Sequence, residues 1–556
     1  MNWHYVKIIV TLWLKNQNFS MKKQYIFYGL LTVLGLIAVN CAKRGNPTGG
    51  DKDTTPPVMV RADPPNNSIN FDKQKIRIYF DEYIVLKDIQ KQLIISPPLK
   101  QPPEITPQGA ASRYIDIKIN DTLAPNTTYV FNFGQSITDN NEGNPYNFFS
   151  YIFSTGSYID SLSVSGTIKD ALNREADDFV SVMLYKIDST FTDSIIYKKP
   201  PTYITNTLDS TTAFTLTNLR AGTYMLAAMK DVSNNYVFNQ KTDKIAFKKA
   251  FINVPSDSVY ELKLFKEIPD YRAAKPSLTA KNRIVFGYEG AADSMDIALL
   301  TRAPQDFKYR ILKDREKDTL HYWFTKIEAD SLRFKVTNRT YIDTFTVRIK
   351  ELYNDSLTLS ATTTGSLSLK EAFGINANIP LDTVIPDNIT LINKDSLAVA
   401  VTAMIDSIKN QVRLFWDVQP NERYKLALLP GAIKDFFGNE NDSLDYSLST
   451  RSAADYGNVS IALKNVNTYP ILVQLVTEQG DIADAIYAEA PQEHYDFRNL
   501  DPAKYYLRVI FDDNGNGKWD PWNYLQKTEP ELLSYYPVSI YVRANWELEE
   551  TFILKY

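Results

Sequence analysis

The chain has 556 residues, too many for one hydrophobic core, and sets 61 Lys and Arg against 65 Asp and Glu for a net charge of −4. Its 44% hydrophobic and 23% charged residues are ordinary for globular protein, which excludes wholesale disorder and a multi-span membrane protein. With 35 Tyr and 28 Phe but only 3 His, it favours many short aromatic-rich strands and offers little for histidine-based chemistry.

The first twenty residues hold an apolar patch, IIVTLWL, ahead of a second start-like Met-Lys-Lys at Met21, which reads as the working start. From there the sequence passes through a fifteen-residue apolar stretch, Tyr25 to Val39, to Cys41, the single cysteine. A bilayer-spanning helix needs about 20 residues. This stretch is shorter and ends in small and polar residues, the outline of a cleaved export signal over 1–40. One thiol cannot form an internal disulfide, so a cysteine just behind such a stretch points to lipid attachment at Cys41. The segment resembles a bacterial lipoprotein signal peptide with Ala38, Val39, Asn40 and Cys41 as the lipobox, although Asn40 stands where a small residue is usual.

Four of the basic residues and none of the acidic ones precede Cys41, so the remaining chain carries net −8 and suits no nucleic-acid partner. Residues 41–56, rich in Gly, Pro, Thr and charge, read as a flexible tether to a membrane. Lys43 and Arg44 would face anionic headgroups. They also depart from the acidic tract that resembles a surface-export signal, so the expected place is the periplasmic face of the outer membrane rather than the cell surface.

Beyond the tether the sequence is strand after strand: KIRIYFDEYIVL from Lys75, RYIDIKI from Arg113, TTYVFNF from Thr127, FTLTNL from Phe214, TYMLAAM from Thr223, NRIVFGY from Asn282 and RFKVTN from Arg333. Aromatic and β-branched residues, broken by Asp-Ser, Asn-Asp, Pro-Pro and Gly-Asn, predict an all-β chain of about five antiparallel β-sandwich domains of roughly 100 residues each. The expected divisions are 55–157, 160–267, 272–356, 360–452 and 455–556.

Two of these recur as a pair. Pro125 to Tyr129, Ile137, Asp139, Gly143 and Asn144 return as Pro420 to Tyr424, Ile433, Asp435, Gly438 and Asn439, about 295 residues later. The segment from Ala213 matches that from His494 at a constant offset of 281, with Tyr224 on Tyr505 and Asp231 on Asp512. A five-residue insertion then sets Gln240 to Asp243 against Gln526 to Glu529. A tyrosine at a strand start can bury its ring and give its hydroxyl to nearby backbone, and Asp followed by Gly-Asn makes a turn with positive φ.

On these residues, with Pro56-Pro57, Phe80-Asp81-Glu82 and Phe153-Ser-Thr-Gly, the modules at 55–157 and 360–452 resemble the bacterial Ig-like domain named after the S-layer protein SbsA. Val164 to Ile168, Phe214, Leu216, Asn218-Leu219, Gly222 and Tyr224 make 160–267 and 455–556 similar to transthyretin-like or carboxypeptidase-regulatory-like sandwiches. The whole resembles multidomain Ig-like outer-membrane lipoproteins of Bacteroidota. Residues 272–356 match no named module.

The sequence holds no Gly-x-Ser-x-Gly elbow, phosphate loop or His-Glu-x-x-His, so no catalytic residue is assigned and the expected function is a non-enzymatic scaffold for other envelope proteins. Asp512, Asn514, Asn516 and Asp520, with Gly517 in the sixth place, resemble the start of a Ca²⁺ loop. Asn523 replaces the closing Glu, and an Asn/Gly turn without an ion is the alternative. Trp519 and Trp522 beside it are candidates for stacking on a glycan, the rival function being a carbohydrate-binding surface lipoprotein. Asp precedes a hydroxyl and a small or apolar residue at Ser161, Ser194, Ser258, Thr319, Ser331, Ser356, Thr383, Ser396, Ser407 and Ser443. That pattern resembles the general O-glycosylation sequence of Bacteroidota and equally suits turns that open strands.

Overall fold

The computed structural model describes residues 53–208, 212–521, 523–528 and 530–555. The sheets pair into five sandwiches, over 59–154, 162–264, 272–348, 359–449 and 457–553. Among the described residues the one α-helix is a single turn, Ile89–Gln92.

In the first sandwich, Lys75–Leu86 sits between Met59–Asp63 and Ser112–Lys118 and also carries Ile137–Asp139. Ile76, Ile78, Phe80, Ile84 and Leu86 alternate inward to one core, and the register against Ser112–Lys118 shifts between Tyr79 and Ile84. The facing sheet is Ile94–Ser96, Thr128–Asn132 and Ser150–Ser154. Its fourth-sandwich counterpart keeps the same register, since Tyr129 faces Phe153 and Tyr424 faces Leu448.

The second and fifth sandwiches agree strand for strand. Each has a three-stranded sheet, Ala213–Leu219, Leu162–Asp170 and Val259–Leu264 in one, Tyr495–Leu500, Gly457–Lys464 and Glu547–Ile553 in the other. Each also has a five-stranded sheet centred on Gly222–Lys230 or Ala503–Phe511. Two expectations change here. The closing strand of both modules runs parallel to the opening strand, not antiparallel, because the chain crosses from the other sheet before pairing and so arrives from the opposite end. The insertion is also longer than expected. Met229 faces Ile245 and Ile510 faces Leu533, which places Asp243 on Glu531 rather than on Glu529.

The third sandwich packs Arg283–Glu289 and Thr319–Phe324 against Ser331–Asn338 and Tyr341–Arg348, with Ile284, Phe286, Tyr322 and Phe334 in its core.

The five modules do not simply follow one another. In Ser181–Lys186 and Gly222–Lys230 nearly every residue is buried on both faces of the sheet, which requires a second layer outside the sandwich. Part of that layer is the fifth module. Tyr524, fully buried, packs edge-on to Phe247 with ring centroids 5.0 Å apart. Its hydroxyl donates to the Asp193 carbonyl at 2.9 Å, and its N–H donates to Glu267 at 2.5 Å. Lys527 covers the Tyr524 ring at 3.8 Å and pairs with Asp193 at 3.2 Å. In return Tyr535 of the fifth module donates to the Leu172 carbonyl at 2.9 Å. Met183 and Ala227 on the second module's outer face correspond by register to Gln474 and Arg508, which hydrogen-bond each other at 2.8 Å within the fifth.

Candidate functional site

The residues that carry the repeats hold turns. Tyr129 and Tyr424 each accept, at 2.8 Å, the backbone N–H five residues upstream, from Ala124 and Gln419. Tyr224 and Tyr505 each donate to the carbonyl four residues upstream, Arg220 at 2.9 Å and Asp501 at 2.8 Å. All four rings are buried, so each phenol fixes a corner while filling a core. Tyr224→Phe and Tyr505→Phe should each lower stability by about 1 kcal/mol, the worth of one hydrogen bond. Urea unfolding of each variant checks this, and an unchanged midpoint would remove the corner's role.

Asp139 gathers four backbone N–H groups: those of Asn141 at 2.9 Å, Glu142 at 2.7 Å and Gly143 at 2.9 Å on one oxygen, and Asn144 at 2.9 Å on the other. Asp435 repeats the device with Phe437 and Asn439 at 2.9 and 2.8 Å. Gly143 and Gly438 take φ of 82° and 85°, which a side chain would strain. Burial pushes the Asp139 carboxyl up, but the N–H groups of Gly143, Asn144, Glu142 and Asn141 outweigh it and hold it at about 2, below the usual 3.8. Its contribution is therefore complete above the unfolded value and is lost as pH falls through about 2. Asp139→Ala should cost roughly 2 kcal/mol at neutral pH, with the gap to the parent closing in acid. A pH series of thermal unfolding reads both.

The acidic loop comes together as the spacing implies, with both Asp512 oxygens and one oxygen of Asp520 engaged within it, while Oε1 of Glu531 is buried without a partner. Asp512 is fully buried and accepts the N–H of Asn516 at 3.0 Å and of Gly517 at 2.7 Å. The Asn514 and Asn516 side-chain amides both donate to Asp520. Glu531 closes the loop by accepting the Asp520 N–H at 3.0 Å, as Asp243 does for Val232 at 3.1 Å in the second module. Burial, with Asp520 and Asp512 nearby, pushes the Glu531 carboxyl up. Among the described residues no group of three or more His, Cys, Asp and Glu is placed to hold a metal ion. The equivalence of Asp243 and Glu531 was missed in the sequence because the insertion hid it.

Trp519 is half-buried. It packs against the cluster around Tyr524, and its indole N–H donates to the Glu531 carbonyl at 3.1 Å. Trp522 and Cys41 lie outside the described residues, as does the export segment. None of the ten Asp-Ser and Asp-Thr hydroxyl positions is buried. Ser161, Ser258, Ser356, Thr383, Ser396, Ser407 and Ser443 are exposed, and Ser194, Thr319 and Ser331 are half-buried.

Sequence reasoning gave no sign of the clefts between modules. One of about 670 Å³ opens between the second and third sandwiches, where Lys241 and Glu289 pair across the junction at 2.8 Å. Another, about 360 Å³, lies between the first and second, and a third, about 210 Å³, at the seam of the second and fifth.

Residues 53–155 match the family described as a bacterial Ig-like domain. No curated protein matches the chain. Similar solved structures include domains 1–6 of the surface layer protein SbsC, at 11% identity over 83% of this chain and 66% of that one, with a TM-score of 0.14. BcpA, the major pilin subunit of Bacillus cereus, is 10% identical over 71% of this chain and 99% of its own, with a TM-score of 0.14. The I9–I11 tandem from titin is 10% identical over 50% of this chain and 99% of that one, with a TM-score of 0.11. The chain thus spans about two thirds of the surface-layer fragment, and at these scores the likenesses carry no argument about arrangement or use.

Proposed function

We propose that this multidomain Ig-like protein is a non-enzymatic scaffold of a bacterial envelope, held by lipid on Cys41 at the periplasmic face of an outer membrane and presenting its modules to other envelope proteins. The observation that carries the scaffold reading is the use made of the repeated residues. Tyr129, Tyr224, Tyr424 and Tyr505, with Asp139 and Asp435, are spent on corners and turns, so what the duplication preserves is architecture. The anchor reading rests on the sequence around Cys41, and the exposed Asp-Ser and Asp-Thr turns suit an O-glycan coat.

Fractionation of cells expressing the full chain and Cys41→Ser tests the anchor. The parent should sediment with membranes and need detergent for release, while the variant should become soluble. A soluble parent would end the lipoprotein reading. Envelope crosslinking tests the scaffold, whose recovery without any protein partner would count against it. Intact-mass measurement of tryptic peptides that finds only unmodified Ser258, Ser396 and Ser407 would remove the glycan coat.

A further inference from the structure

The cleft of about 670 Å³ between the second and third sandwiches is of a size that takes a small ligand or a few units of a polymer. Half-buried Tyr197 and Tyr271 line it, with Phe238 buried behind. Asn235, Asn239 and Gln240 also line it, the first two with their side-chain NH₂ groups unused while Gln240 donates to Glu267 at 2.8 Å. The charged lining residues balance, Lys241 and Arg272 against Asp270 and Glu289, and Lys241 is already paired with Glu289.

One polar atom beside this cleft is unspent. The hydroxyl of Tyr271 is buried and has no hydrogen-bond partner, a state that costs about 1–3 kcal/mol, while the Tyr197 phenol lies beside the Gln240 side chain. Burial pushes the Tyr271 phenol up to about 12, with Tyr341 and Tyr288 adding to the shift, so it remains a proton donor at physiological pH.

We propose that this cleft binds a neutral oligosaccharide. Sugar rings offer apolar C–H faces to aromatic side chains and a rim of hydroxyls that both donate and accept, which is what amides and phenols beside rings can meet. An anionic glycan would meet no net positive charge in this lining. An extended peptide would need a free strand edge to pair with, and the edge strand that reaches the lining, Arg272–Ala273, is only two residues long, while residues 235–241 and 269–271 lie in turns and loops. This site is built from two modules and does not include Trp519. The proposal does not depend on the anchor or on a protein partner.

The test uses the purified full chain on a glycan array holding neutral and acidic oligosaccharides, followed by calorimetric titration with cellohexaose, xylohexaose, maltohexaose and mannohexaose. At least one neutral series should bind saturably. Tyr271→Phe removes a hydroxyl and keeps the ring. Arg272→Ala alters an exposed side chain on the cleft wall and leaves the fold intact. Each should weaken binding about fivefold, the loss of one hydrogen bond, without lowering the unfolding temperature. No binding on the array, binding of acidic glycans alone, or affinities indifferent to both substitutions would overturn the proposal.

Discussion

Tyr524→Ala should release the fifth sandwich from the second and cost about 3–5 kcal/mol, the range for emptying a fully buried large aromatic site. The ring is enclosed by residues of another module, including Met225, Phe247 and Phe265. Its removal therefore leaves a hole that neither module can close alone, and it takes one of the two rings from under Lys527. The Asp193 carbonyl also loses its phenol donor. Tyr524→Phe keeps the ring and should lose only about 1 kcal/mol. Small-angle scattering would show the alanine variant extended relative to the parent, with a new low-urea transition. Unchanged dimensions and stability would mean that the seam does not hold the chain together.

Gly166→Val should be nearly as damaging, at about 3 kcal/mol, through overpacking. Gly166 lies opposite Tyr260 on the parallel closing strand and opposite Phe214 on the other side. A Cβ there would overlap the Tyr260 carbonyl oxygen and come within 2.5 Å of the Phe214 ring. The fifth module shows the alternative solution at the equivalent place. Ile461 is fully buried there opposite Tyr495, whose hydroxyl reaches Tyr469 at 3.3 Å. Glycine beneath a phenylalanine and isoleucine beside a tied tyrosine are two packings of one site. Thermal unfolding of Gly166→Val should show the loss, and a variant as stable as the parent would mean that Phe214 swings aside freely.

What could be seen in the sequence was whatever a short segment imposes on itself. The corners at Tyr129, Tyr224, Tyr424 and Tyr505 need only a ring and a backbone group four or five residues away, so the residues recur at fixed spacing. The Asp139 and Asp435 turns are equally local. The parallel closing strands and the place of Glu531 were hidden because both depend on what a strand meets across the sheet. The destination of Tyr524 was hidden for the same reason, though a trace of it existed. TYMLAAM from Thr223 and ILVQLV from Ile471 are apolar at nearly every position, the mark of a sheet covered on both faces, and the strict alternation of a two-layer sandwich is missing from them. The clefts between modules left no such trace, since their linings come from separate loops.

The seam also sets an order of events during biogenesis. Glu267, which accepts the Tyr524 N–H, precedes it by 257 residues. At about 5–20 residues per second the second module is made on the order of 10–50 s before its cover. During that interval the seat of Tyr524 beside Met225, Phe247 and Phe265 is without its cover, although Ile196 and Phe238 of the second module already pack in the same cluster. The nascent polypeptide thus carries a temporary apolar notch until the last module emerges, and truncation before residue 524 would leave that notch permanently open to water.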